Sequence, residues 1–269
     1  MHDMEIFVDI WGQLEISKLL STYKGYKPEV LDIIPELGLK IELPTFPLNT
    51  DGFDIWGRNM TFRRIKITNF DDAIVPKPTY SSPSNLFNCT EDIYSEDIET
   101  WYTVGMTIGS VPPHVGVNCI RNVVFKNVYM HKPLKGIYVK SNPGTSGTGL
   151  IKNITYENFQ MDYPVWFGIY IGPQQQKQPG GAGPGCMIYP LEPCQTNPLI
   201  TMEDITLRNI TGHGSLLFAG IIRCNSTNPC KNFVFDDVQM KSPLWDLLTQ
   251  LRQPPKVLEL LATRAQVNS

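Results

Sequence analysis

The chain has 269 residues, a formal net charge of −3 and 18% charged residues, which is enough for one sizeable core or two small ones. The slightly acidic balance, with no basic stripe, argues against nucleic acid as a partner, and no apolar run reaches the length of a membrane span. Six cysteines and five N-x-[ST] sequons, at Asn59, Asn88, Asn153, Asn209 and Asn225, fit a secreted, disulfide-bonded glycoprotein. Sequons also arise by chance where Asn recurs.

Residues 1–43 form an N-terminal segment with no recognisable repeat. The opening Met1-His2-Asp3-Met4-Glu5-Ile6-Phe7-Val8-Asp9 lacks the basic and apolar regions of a secretory signal. Either the protein is intracellular or its true N-terminus lies outside this chain; the repeat described below favours the second, with some N-terminal coils of the fold missing. Next comes Asn49-Thr50-Asp51-Gly52, then an alternating polar and apolar run from Gly57 to Ile67, then Phe70-Asp71-Asp72-Ala73. The alternation is that of a half-buried strand. If the chain coils once between the two motifs, Asp51, Asp71 and Asp72 arrive side by side on strands about 4.8 Å apart. Crowded carboxylates cannot all ionise freely, so one stays protonated as a general acid beside an ionised neighbour. That pairing is the equipment for cleaving a glycosidic bond. The plainer alternative is that all three are turn-capping residues.

From Asn59 onward a seven-residue pattern recurs: Asn or Asp, apolar, any, usually apolar, any, usually Asn or Asp, apolar. It spans Asn59 to Ile65, Asp92 to Ile98, Asn122 to Val128, Asn153 to Phe159, Asp204 to Ile210 and Asn232 to Val238. Arg64 replaces the second Asn or Asp in the first copy, and Ser95 replaces an apolar residue in the second. Successive starts lie 33, 30, 31, 51 and 28 residues apart, a period that signals a solenoid. The spacing is that of strands. A second apolar run follows most copies, at Ala73 to Val75, Met106 to Ile108, Ile137 to Val139, Ile169 to Ile171, and Ile221 with Ile222. Two or three strands per coil without an intervening helix describe a parallel β-helix, in which the repeated Asn would cap turns by bonding nearby backbone. A β-sandwich is the competing architecture, but it does not ordinarily keep one pattern six times.

Cys89 and Cys119 each lie three residues before a repeat start. Equal phase on adjacent coils puts their Cα atoms near 5 Å apart, within disulfide range; a buried pair of free thiols is the alternative. Cys186 with Cys194, and Cys224 with Cys230, read as local loop closures. The absence of a CxxC pair speaks against structural zinc. The stretch Gly172 to Cys186, rich in Gly, Pro and Gln, falls in the longest gap and has loop composition, suited to form one wall of a cleft. Residues 44–240 make up the β-helix domain. The tail, residues 241–269, turns Leu-rich and helical in character, suited to capping an open sheet end.

The NTDG and DD motifs, combined with the Asn-apolar coil, resemble the polygalacturonases of glycoside hydrolase family 28 over residues 44 to 240. The resemblance implies a right-handed, all-β parallel β-helix that cleaves pectic chains with inversion, acting as a secreted monomer. It implies no metal or cofactor and neither nucleic acid nor membrane as partner. It assigns Asp71 as general acid, Asp51 and Asp72 as the groups that activate water, and Asn49 as the residue that orients them. Two motifs depart from the family. Val104 stands where a histidine is expected, and Tyr138-Val139-Lys140 replaces Arg-Ile-Lys. The literal Gly212-His213-Gly214 is out of phase with the catalytic strand. Lys140 is expected to pair with a uronate carboxylate at a partly exposed cleft edge, without the bidentate arginine fork; a solvated strand-end lysine is the alternative. Tyr138 either stacks on a sugar ring or is a plain strand aromatic. The departures leave two further readings: a hydrolase of rhamnogalacturonan, or a weakened β-helix that binds cell-wall glycan without cutting it.

Overall fold

The computed structural model describes residues 6–9, 50–78, 89–116, 118–175, 186, 189, 192–213 and 218–241. Asn49, most of the Gly-rich stretch, the proposed helical tail and nearly all of the N-terminal segment lie outside the described residues. Thirteen strands are described, and they fall into two parallel sheets. Seven strands form the larger sheet: β1 (Ile6–Asp9), β3 (Arg58–Thr68), β5 (Thr90–Trp101), β7 (Cys119–His131), β9 (Gly149–Asp162), β11 (Ile200–His213) and β13 (Val234–Lys241). Six form the smaller: β2 (Phe53–Ile55), β4 (Asp72–Pro76), β6 (Gly105–Val111), β8 (Lys135–Ser141), β10 (Phe167–Pro173) and β12 (Phe218–Ile222). Sheet membership alternates along the chain, so each coil contributes one strand to each sheet. This is a parallel β-helix. The six repeats fall on β3, β5, β7, β9, β11 and β13 of the larger sheet, and the second apolar runs on β4, β6, β8, β10 and β12 of the smaller.

The repeat has a backbone cause. Its first and sixth positions are left-handed: φ is +56° and +53° at Asn122 and Asn127, +53° and +57° at Asn153 and Asn158, and +57° and +51° at Asp204 and Asn209. Asn and Asp tolerate this conformation best among residues with a side chain, so each long strand is bent at two points five residues apart. Arg64, the outlier of the first copy, adopts the same φ of +53° without that advantage. The repeated amides do not mainly cap local backbone, as the sequence suggested. Instead they bond from coil to coil: Asn122 to Asp92 and Asn153 to Asn122, both 2.9 Å, and likewise Asn158 to Asn127 and Asn209 to Asn158, both 2.9 Å.

Between the left-handed positions, and just after the second, the apolar residues point inward and stack in register. One column runs Ile65, Ile98, Val128, Phe159, Ile210 and Val238; another runs Phe62, Ser95, Phe125, Tyr156 and Leu207. Ser95 is therefore a polar residue inside a column of the core, fully buried. Along β8 the faces alternate: Ile137 and Val139 join the main core, whereas Tyr138 joins a second cluster with Val104, Phe167 and Tyr170. Successive strand residues point to opposite faces, so this second cluster lies on the outer side of the smaller sheet. Three disulfides, Cys89–Cys119, Cys186–Cys194 and Cys224–Cys230, realise the expected pairing, the first joining adjacent coils with Cα atoms 4.8 Å apart.

Asn158 tests the ladder, because it both donates to Asn127 and accepts from Asn209. Asn158→Gly keeps the left-handed backbone and loses only the side-chain bonds, about 0.5–1.5 kcal/mol each. Asn158→Val adds the left-handed penalty of roughly 1–2 kcal/mol. Urea unfolding should therefore rank wild type above Gly, and Gly above Val.

Candidate active site

Asp51 immediately precedes Gly52 and β2, while Asp71 and Asp72 stand at the start of β4, the next coil. Two features draw these coils together. The Gly52 N–H donates to the Asp72 carbonyl at 2.8 Å, and a Cβ at position 52 would fall 2.3 Å from the Ala73 carbonyl oxygen. Only glycine permits that approach. Asn69, wholly buried, donates its side-chain amide to the carbonyls of Thr50 (2.7 Å) and Asp72 (2.9 Å), and Phe70 N–H donates to the Thr50 hydroxyl at 3.2 Å. As a result Asp51, Asp71 and Asp72 present carboxylate oxygens that all lie within 4.8 Å of one another. The Asp72 N–H donates to both Asp71 Oδ1 (2.9 Å) and Asp51 Oδ1 (3.2 Å).

The three carboxyls differ in electrostatic setting. Burial pushes Asp51 and Asp71 each up to about 7, and the charge of Asp72 adds to the rise in both. Asp72 is only 1% exposed, and burial alone would raise it too. Lys140 and Lys77, with hydrogen bonds from Lys140 and Thr107, outweigh burial and hold Asp72 below the usual carboxylate range. Lys140 Nζ lies 2.6 Å from Asp72 Oδ2, and the Thr107 hydroxyl donates to Oδ1 at 2.6 Å. Lys77 flanks the other side, 3.1 Å from Asp54 and 4.0 Å from Asp51. Three oxygens this close could hold a divalent cation; here Lys140 pairs with Asp72, and Lys77 stands 4.0 Å from Asp51. The site thus combines one fixed carboxylate with two carboxyls that titrate near neutrality, the complement that general acid and base catalysis requires.

The sequence model of glycosyl hydrolases family 28 matches residues 37–254, most of the chain. The chain belongs to glycosyl hydrolase family 28. Among its relatives, a probable exopolygalacturonase C of Aspergillus niger is 28% identical over 82% of this chain. A probable rhamnogalacturonase C of Aspergillus flavus is 29% identical over 71% of it. The crystal structure of endo-xylogalacturonan hydrolase from Aspergillus tubingensis superposes with a TM-score of 0.53, at 18% identity over 73% of the chain, a likeness of fold. The chain spans about half the length of the exopolygalacturonase (50%) and of the solved structure (48%), and 36% of the rhamnogalacturonase.

Within this family 28 chain the structure brings Asp51, Asp71, Asp72 and Lys140 together. It alters the parts expected of Lys140 and Tyr138. Lys140 is 2% exposed and bonded to Asp72. It stands two coils away along the chain, but its long side chain spans β6, so the expected partly exposed cleft lysine is a buried counter-ion. Tyr138 is wholly buried, with its hydroxyl accepting from Gln175 N–H at 3.1 Å; its ring packs inside the outer cluster and offers no open face to a sugar. Val104, in the place where the family resemblance expects histidine, is buried and donates its N–H to the Asp71 carbonyl at 2.7 Å. His213 ends β11 in the larger sheet, paired in register with Asp162 and Lys241, whereas the aspartates lie at the smaller one. Sequence reasoning missed the parts played by Thr50, Asn69, Lys77 and Thr107. Only contacts made in the fold reveal them: Thr50 sits inside the NTDG motif without a signal of its own, and Asn69, Lys77 and Thr107 belong to no motif.

Two predictions follow from these charges. Lys140→Met should leave Asp72 buried and uncompensated at a cost of about 3–5 kcal/mol, and Asp72→Asn combined with Lys140→Met should recover most of it. A lysine that merely faced the cleft would show no such recovery in urea unfolding. The second concerns pH. Asp51 and Asp71 keep protons in the folded state up to about pH 7, whereas unfolded they release them near 3.9. Between these values the folded state binds more protons, so their contribution to stability falls as pH rises from about 4 to 7. The contribution of Asp72 has the opposite sign and is lost only on acidification, below the ordinary carboxylate range. The doubly substituted Asp51→Asn, Asp71→Asn protein should therefore gain stability over wild type at pH 8 relative to pH 4. Parallel pH profiles of thermal unfolding would contradict the assignment.

Proposed function

We propose that the protein hydrolyses galacturonate-containing pectic polysaccharide, outside the cell, with Asp71 as general acid and Asp51 as the base that activates water. The supporting observation is the cluster of three carboxylates in which one, Asp72, is fixed in its ionised form by Lys140 and Thr107. A carboxylate so held is a poor proton acceptor. Asp72 therefore acts on its neighbours as a standing negative charge that raises their proton affinity, not as a second base. Near pH 7, where Asp51 and Asp71 both titrate, the form with one proton between the two carboxyls suits the reaction. Asp71 donates to the departing glycosidic oxygen while Asp51 takes a proton from the attacking water. The proton is carried back through solvent after each turnover. Family membership supports the inverting course. The three disulfides fit an oxidising, extracellular setting, and two of the curated relatives are named for pectic substrates.

The close approach of the oxygens makes stereochemistry the informative test. Inverting enzymes hold their two carboxyls about 6.5–9.5 Å apart and retaining ones about 5–5.5 Å, so nearest oxygens within 4.8 Å leave room for water only if the reacting oxygens are the outer pair. Proton NMR of the first product formed from a galacturonate oligomer should show inverted configuration. Asp71→Asn should lower turnover by about 10² to 10⁴, as loss of general acid catalysis does. Retained configuration, or an unchanged rate in Asp71→Asn, would reject the assignment. A rhamnogalacturonan oligomer run in parallel decides between the two pectic backbones. Binding of either without cleavage would indicate a glycan-binding β-helix.

A further inference from the structure

The corner where the larger sheet passes into the smaller carries a row of exposed side chains that the aspartate cluster does not use. Strands β5, β7 and β9 end at Trp101, His131 and Asp162, and the next residues are Tyr102, Lys132 and Tyr163. The Tyr102 N–H donates to the His131 carbonyl at 3.0 Å, and the Lys132 N–H to the Asp162 carbonyl at 2.7 Å. The three residues therefore stand on successive coils, with the two tyrosines two strand spacings or about 10 Å apart. Tyr102 is 40% exposed, Tyr163 is 62% exposed, and Lys132 is exposed between them. Strands β3 and β11 flank these coils on either side, so the row is not the open end of the stack.

Two observations set this row apart. All three residues are left-handed, with φ of +63°, +49° and +53°. Elsewhere among the described non-glycine residues that conformation falls to Asn or Asp, with Arg64 the exception. A bulky residue there is an outlier, and such strain collects at ligand sites. Asn would fit the same backbone better, so conformation does not account for the rings. The second observation is continuity with the aspartates. Tyr102 stacks on Phe70, the residue before Asp71, with centroids 6.0 Å apart, and meets Trp101 edge-on at 6.0 Å. Trp101 in turn stacks on His131 at 3.8 Å. An aromatic surface thus runs from beside Asp71 to the corner. Among the described residues Tyr163 touches no other ring and Lys132 pairs with no carboxylate.

We infer that this corner is a second glycan-binding site, outside the aspartate cluster, that holds a flanking stretch of an acidic polysaccharide: Tyr102 and Tyr163 stack on sugar rings, and the Lys132 ammonium between them meets a uronate carboxylate. A pyranose presents C–H bonds on its faces and hydroxyls around its rim, and a tyrosine matches it with an apolar ring and a polar tip. The separation of about 10 Å is one that about two linked sugar units cover, which leaves a charged unit over Lys132. The inference rests on the pectic reading and deepens it: the site takes long chains in preference to short ones and keeps polymer beside the aspartates.

Calorimetric titration of trigalacturonate and of a long galacturonate oligomer into the Asp71→Asn protein, where turnover is suppressed, reads this directly. The long oligomer should bind more tightly than the trisaccharide. Tyr102→Asn with Tyr163→Asn in the same background should weaken the long oligomer about tenfold and not the trisaccharide, abolishing the preference, whereas Tyr163→Phe should keep it. Lys132→Met should weaken the long oligomer about threefold at low salt and have no effect at high salt, where an exposed charge is screened. Tyr163→Asn suits the left-handed backbone, so its urea midpoint should be no lower than that of the parent. Should the double substitution fail to fold, Tyr163→Asn alone supplies the comparison. Equal weakening of both ligands, or an undiminished preference for the long one, overturns the inference, while hydrolysis with inversion by the wild type would still uphold the proposed function. Failure of the Asp71→Asn protein to bind either ligand overturns both.

Discussion

Hydrogen-bonded parallel strands lie about 4.8 Å apart, and the site of this protein depends on that spacing. Residues at matching positions of successive coils can stand no farther apart than one strand spacing, whatever their charge. Asp51 and Asp72 occupy such positions, and Gly52 and Asn69 bring their coils into contact. The electrostatic cost of confining three carboxyls then has to be met locally. Part is met by ammonium groups. The rest is met by leaving Asp51 and Asp71 protonated up to about pH 7. The pair of carboxyls that titrate near neutrality is in this sense a by-product of crowding that the fold enforces.

Around the aspartates the same residue type takes different parts according to its partner. Lys140 is a fixed counter-ion because its side chain reaches back across β6 to Asp72. Lys77 bridges Asp54 and Asp51 at the other flank. Lys135 lies over the ring of Tyr138 and, among the described residues, pairs with no carboxylate. A lysine is a point charge on a flexible stem, so strand position alone does not decide which role it plays. Tyr138 shows the same principle for aromatics: it stands beside both Lys135 and Lys140, and it lies beneath the surface that a sugar would need.

Outside the site, the larger sheet is organised by backbone conformation as much as by burial. Each of its long strands carries two left-handed residues, and these positions are filled by Asn or Asp in nearly every coil. Once the backbone requires them, their amides lie one strand spacing apart and bond along the axis. The ladder is thus a consequence of the bends. Arg64 departs from the residue preference and still keeps the bend, so neighbouring coils impose the geometry where the residue itself does not favour it.

The parallel β-helix was legible in the sequence because a solenoid repeats its local requirements. Left-handed bends call for Asn or Asp, inward positions call for apolar residues, and both recur with each coil. The pairing of Cys89 with Cys119 followed from the same phase, as did the convergence of Asp51, Asp71 and Asp72. Long side chains escape this logic. Phase places a Cα, but Lys140 extends far enough to choose a partner two coils away, and Tyr138 can be covered by Gln175, just past the end of the neighbouring strand β10. Residues that hold the motifs together, such as Asn69 and Thr107, carry no repeat signal, because each serves a single contact. Local conformation and strand phase were thus set by the sequence alone. The tertiary structure decided which charges meet, because ion pairing depends on distances between side-chain tips, and no pattern along the chain records those.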